Sequence, residues 1–168
     1  MKRAAGTSIL ILTLGLVPGI LQARGDANPG FEKLKTLVGE WEGKDTEDKP
    51  VHVSYKMVSA GTTLLETLSP GGESEMVTLY TMDGGEVALT HYCSANNQPR
   101  MRTVPNAGDS NELDFTFTGA TNLANLGVGH MHRLAITFHD ADHFNQEWTW
   151  RELGKADKME IFRFTRTK

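Results

Sequence analysis

The chain has 168 residues, a formal net charge of −4 and a single cysteine. A mildly acidic chain without a basic block has little with which to neutralise phosphates, which argues against nucleic acid as a partner. One thiol rules out an internal disulfide, so packing and ladder hydrogen bonds must hold the fold.

Residues 1–23 read as a signal peptide. Lys2 and Arg3 precede an apolar run from Ser8 to Leu21, Pro18 and Gly19 break a helix near its end, and Ala23 supplies a small residue at the cut. The run is shorter than the about 20 apolar residues of a spanning helix. We therefore expect cleavage after Ala23, an extracytoplasmic location (periplasmic or secreted), and no stable membrane span in the mature chain. Residues 24–30 are polar and small and read as a linker, leaving 31–168 as one domain.

Phe31 to Val38 is the one amphipathic helix predicted in that domain. Phe31, Leu34, Leu37 and Val38 recur at helical spacing, Pro29 precedes them and Gly39 stops them. Beyond Gly39 the period changes to two. Val51, Val53, Tyr55 and Met57 form one alternating row, and Val87, Leu89, His91 and Cys93 form another. Leu113, Phe115 and Phe117 form a third, and Leu134, Ile136 and Phe138 a fourth. Further strand-like runs cover 41–44, 63–68, 76–82, 100–104, 144–151 and 159–165. Turn-rich pieces separate them, among them Pro70-Gly71-Gly72, Asp83-Gly84-Gly85 and 140–142. About ten short strands at hairpin spacing, with no alternating helices, predict an all-β fold. The expected form is an antiparallel up-and-down barrel with a short N-terminal helix, with a β-sandwich as the alternative.

Gly39-Glu40-Trp41 at the end of the helix resembles the Gly-x-Trp opening of lipocalin-type (calycin) barrels. In that family the tryptophan plugs one barrel end and an arginine of the last strand packs over it, which implies Arg163 or Arg166 here. The wider layout, from 37–41 to Glu147-Trp148-Thr149-Trp150, resembles exported bacterial proteins of unassigned function, which in turn distantly resemble heme-binding barrels of the nitrobindin kind. Those barrels ligate heme iron through a histidine close to the C-terminus. Phe162 to Lys168 contains none, so that ligand is not carried over.

The chemistry-bearing residues sit near predicted strand ends. His91 and Cys93 share a face, and His130 and His132 share parity with Leu134 and Ile136, which places all four on inward rows. Neutral imidazoles of His91, His130 and His132, with Cys93 as a fourth donor, would suit zinc or copper. Without metal, the same residues line a pocket or its rim. Arg100 is a candidate partner for a ligand carboxylate; Gln146, Glu66, Trp148 and Trp150 are further candidates to line the interior. A histidine near Glu66 would form a proton-transfer pair. His139 to His143 reads as a solvated hairpin tip, and Tyr55, Tyr80 and Tyr92 have no special context. The leading expectation is non-catalytic binding of a small, partly apolar ligand inside the barrel. A metal or heme site and an enzyme of unassigned reaction are the alternatives.

Overall fold

A computed structural model describes residues 28–103 and 110–167. The expected signal peptide and the linker up to Ala27 lie outside the described residues. Helix α1 (Pro29–Lys35) is followed by strands β1 (Gly39–Lys44), β2 (Pro50–Val58), β3 (Thr63–Pro70), β4 (Met76–Asp83) and β5 (Glu86–Tyr92). Strands β6 (Gln98–Thr103), β7 (Glu112–Thr121), β8 (His130–Phe138), β9 (His143–Arg151) and β10 (Lys158–Arg166) follow. Each strand pairs antiparallel with its sequence neighbours, and β10 pairs back onto β1, so the sheet is a closed up-and-down barrel. Closure excludes the sandwich alternative and removes the free sheet edges. Among the described residues no helix is long and apolar enough to cross a membrane.

α1 begins two residues earlier than the sequence predicts. Pro29 opens the helix, where its missing N–H costs nothing, and the Asn28 side chain accepts from Phe31 N at 3.0 Å. Pro29 and Gly30, read above as linker, are therefore structural. The apolar face of the helix and the following turn (Phe31, Leu34 and Leu37) joins one core with Trp41, Val87, Leu113 and Phe144.

In an up-and-down barrel alternate hairpins lie at the same end. Asn28 Nδ2 donates to Gly85 O in the β4–β5 turn at 2.7 Å, and the Lys33 ammonium lies 5.4 Å from the ring centroid of Phe138 at the end of β8. The helix thus covers the end that carries the β2–β3, β4–β5 and β8–β9 turns. Trp41 donates through Nε1 to Leu37 O at 2.7 Å, and the Arg166 guanidinium lies 4.0 Å from the Trp41 ring centroid. Arg166, rather than Arg163, is the last-strand arginine that covers the tryptophan. Among the described residues, the opposite end, with the β1–β2, β3–β4, β5–β6 and β9–β10 hairpins, has no such plug.

Candidate functional site

The inward rows of four adjacent strands meet in one polar layer. Tyr55 on β2 stands opposite Glu66 on β3, Glu66 opposite Thr78 on β4, and Thr78 opposite His91 on β5. Direct cross-strand neighbours are close enough for side chains to touch, and these do. Tyr55 and Tyr80 each donate to Glu66 Oε2 at 2.8 Å, and Thr78 Oγ1 donates to Glu66 Oε1 at 3.0 Å. Gln146 reaches in from β9, donating to Glu66 Oε2 at 2.7 Å, while its oxygen accepts from Trp148 Nε1 at 3.0 Å. Thr78 Oγ1 also lies 2.9 Å from His91 Nδ1. A carboxylate at 0% exposure is tolerable only with this many donors. Burial raises the Glu66 pKa, while the hydrogen bonds from Tyr55, Tyr80, Thr78 and Gln146 oppose the rise. Burial, followed by the Glu66 charge, holds Tyr55 and Tyr80 well above their ordinary value.

Above this layer, toward the end without the helix, lies a pocket of about 470 Å³. Its floor and walls include His91, Cys93, Met131, Trp148, Trp150 and Phe162, and its rim carries charged residues of the β1–β2 and β9–β10 hairpins. The volume falls within the range of small-molecule sites. The His91 imidazole is 1% exposed and lies 4.5 Å, centroid to centroid, from the Trp148 ring. Burial lowers its pKa to about 4, so it is neutral near pH 7. His91 Nε2 is buried with no hydrogen-bond partner. Asn97 Oδ1 shares that condition elsewhere, and Asp114 Oδ1, also without a well-formed hydrogen bond, has Arg133 Nε at 2.8 Å; neither residue lines the pocket.

The sequence places His130 and His132 beside His91, and the structure does not. The pairing of β8 with β9 shifts register between Met131 and Arg133, which makes His132 the extra residue of a bulge. A one-residue slip exchanges the two faces, so Met131 lines the pocket in place of the two histidines. His130 and His132 pack instead on Phe117, at ring centroid distances of 4.7 and 5.1 Å. His130 Nδ1 lies 2.7 Å from Val128 O, and its Nε2 lies 3.2 Å from His132 Nδ1. Among the described residues no three His, Cys, Asp or Glu side chains are grouped to hold a metal ion, so the expected His91/His130/His132 set is not assembled. Nor do the residues fit the heme route implied by the nitrobindin resemblance, because the inward positions of β10 are Phe162 and Phe164.

Arg100 is exposed on β6 and lies away from the pocket, among outer residues such as Arg102 and Thr118. Cys93 does line the pocket, and burial raises its thiol pKa. Gln146 is buried in the polar layer beneath. His91 and Glu66 are not a directly hydrogen-bonded pair, because Thr78 stands between them. The sequence reading missed Tyr55, Tyr80 and Thr78. The available signal was Glu66 itself, a carboxylate in phase with Leu64 and Leu68 on an inward row that calls for donors from the neighbouring strands.

No protein-family model matches this sequence, and no curated protein matches it. Solved structures do share its shape. A protein of unknown function from the DUF3598 family of Nostoc punctiforme superposes with a TM-score of 0.54 at 14% identity, over 80% of this chain and 48% of that one. The Rv2717c protein of M. tuberculosis superposes with a TM-score of 0.57 at 12% identity, over 83% of this chain and 98% of that one. At these identities the likeness is one of fold. This chain spans about half the length of the Nostoc protein it matches.

Proposed function

We propose that this chain is an exported, calycin-like barrel that holds a small, partly apolar ligand in the pocket at its open end, by binding rather than by catalysis. The observation that carries the reading is the unpartnered Nε2 of His91, a buried polar atom in a residue that lines an apolar-walled pocket. Buried polar atoms without a partner are rare in native proteins and call for an explanation; a ligand group that meets this nitrogen supplies one. The helix-plugged end and the charged rim at the other end support entry from one side. Arg166 over Trp41 supports the calycin comparison, and the apolar run from Ser8 to Leu21 supports export.

The test is a fluorescence titration with Nile red, on wild type and on Met131→Trp, which fills the pocket from β8. Saturable one-site binding that the variant loses while unfolding at the wild-type midpoint is the expected result. Absence of saturable binding, or binding untouched by the filled pocket, overturns the reading. The intact mass of protein recovered from the periplasm tests export, with loss of residues 1–23 as the expected outcome.

A further inference from the structure

The binding reading leaves the ligand's chemistry open, and the hydrogen bonds beneath the pocket constrain it. Trp148 Nε1 can only donate, so the Gln146 atom 3.0 Å away is its amide oxygen. That orientation turns Gln146 Nε2 toward Tyr55 Oη and Glu66 Oε2, at 2.6 and 2.7 Å. Tyr55 and Tyr80 give their protons to the same Oε2, which collects three donors. This is the environment of an ionised carboxylate, which only accepts, and Thr78 gives its one proton to Oε1. With that proton committed, Thr78 Oγ1 accepts from His91, and the imidazole is held as the Nδ1–H tautomer. Its Nε2 is then a bare lone pair, buried and unpartnered.

A lone pair of this kind wants a donor, and two features disfavour an anion. The imidazole is neutral, so it offers no charge to a carboxylate. The rim carries Asp45, Glu47, Glu73 and Glu160 against Lys49 and Lys158, and Lys49 is paired with Glu47 at 2.5 Å. Trp148, Trp150 and Phe162, with the sulfurs of Met76, Met131 and Cys93, make walls suited to the faces and edges of a flat ring. Resting on the binding reading above, we infer that the pocket takes a neutral, flat aromatic molecule bearing one hydroxyl, the phenol class, whose O–H donates to His91 Nε2.

Three naphthalenes separate the alternatives by calorimetric titration near neutral pH: 2-naphthol, its methyl ether 2-methoxynaphthalene, and 2-naphthoate. The expected order is naphthol about tenfold tighter than the ether, the worth of one buried hydrogen bond, with naphthoate weakest. His91→Phe abolishes the discrimination between naphthol and ether. Thr78→Val keeps the imidazole but releases its tautomer, and it reduces the same ratio; this second variant serves if His91→Phe does not fold. Equal binding of naphthol and ether overturns the donor assignment and leaves the binding reading standing, as does naphthoate binding tightest. If Nile red binds and none of the naphthalenes does, the aromatic class is wrong. If neither Nile red nor any naphthalene binds, both readings fall together.

Discussion

His91 enters the barrel as a neutral base, and that has a consequence for stability. Burial lowers its pKa from 6.5 in the unfolded chain to about 4 in the fold. Between these values the unfolded chain holds the extra proton. The stability that His91 contributes by remaining neutral is thus complete above pH 6.5 and is lost as the pH falls toward 4. The full change is ~3 kcal/mol from a shift of this size. Glu66 acts with the opposite sign. Its pKa is raised by burial, so its contribution is complete below its unfolded value of 4.5 and is lost as the pH rises through its folded value. A raw pH–stability curve mixes the two, whereas a His91→Gln variant removes only the first. Urea unfolding at a series of pH values is expected to show the difference between wild type and His91→Gln shifting toward the variant's favour by about 2–3 kcal/mol as the pH falls from about 7 to about 4. A difference independent of pH would mean that His91 is not held neutral.

At the scale of the element, the helix at the plugged end depends on one side chain from the other end of the sequence. Arg166 on β10 donates to Thr36 O, Val38 O and Ala141 O at 2.8–3.2 Å and stacks on Trp41. A planar fork meets several carbonyls and an indole face together, and an ammonium does not. Arg166→Met is expected to destabilise the protein by about 2 kcal/mol, and Arg166→Lys to recover less than half of that, read from urea midpoints at constant m-value. Recovery by lysine equal to wild type would reduce the contact to simple charge. The strands were legible because their faces alternate: the rows through Val53, Leu89, Phe115 and Ile136 are buried along most of their length, with only the end residues Met57, Cys93, Phe117 and Phe138 half-buried. The Gly-x-Trp opening likewise pointed to an arginine on the last strand, though not to which one. What the alternation could not show is where it is interrupted. His130 and His132 have the right parity to join His91, and a bulge of one residue at His132 takes both out of the pocket lining, although His130 stays buried. A bulge leaves no periodic trace, and the polar layer depends on the register of three successive hairpins, which parity alone does not fix. His91 was found because its strand is regular; Tyr55 and Tyr80 were passed over because nothing in their local sequence shows that Glu66 lies across from one and near the other.

The molecule as a whole is held together without a disulfide, so its closure rests on the seam where the first strand meets the last. Only four register pairs join β1 to β10: Trp41 with Arg166, Glu42 with Thr165, Gly43 with Phe164, and Lys44 with Arg163. The backbones approach closely at Gly43, where an added Cβ would lie 2.8 Å from Phe164 Cδ1 and collide with the Arg163 carbonyl oxygen. A backbone carbonyl cannot swing aside as a side chain can, so a methyl group here must push the seam apart. Parting it exposes two strand edges at once, and the other strand pairs gain nothing in return. Gly43→Ala is therefore expected to cost at least ~2 kcal/mol, well beyond the helical or strand propensity of alanine, and to increase aggregation on warming. Gly85→Ala is the control, because a Cβ there meets nothing within 4 Å, and its effect should stay within about 0.5 kcal/mol. Urea midpoints for the two variants decide the matter. If Gly43→Ala unfolds where wild type does, β1 and β10 are not packed backbone to backbone, and the barrel is open at the place where its strand order closes.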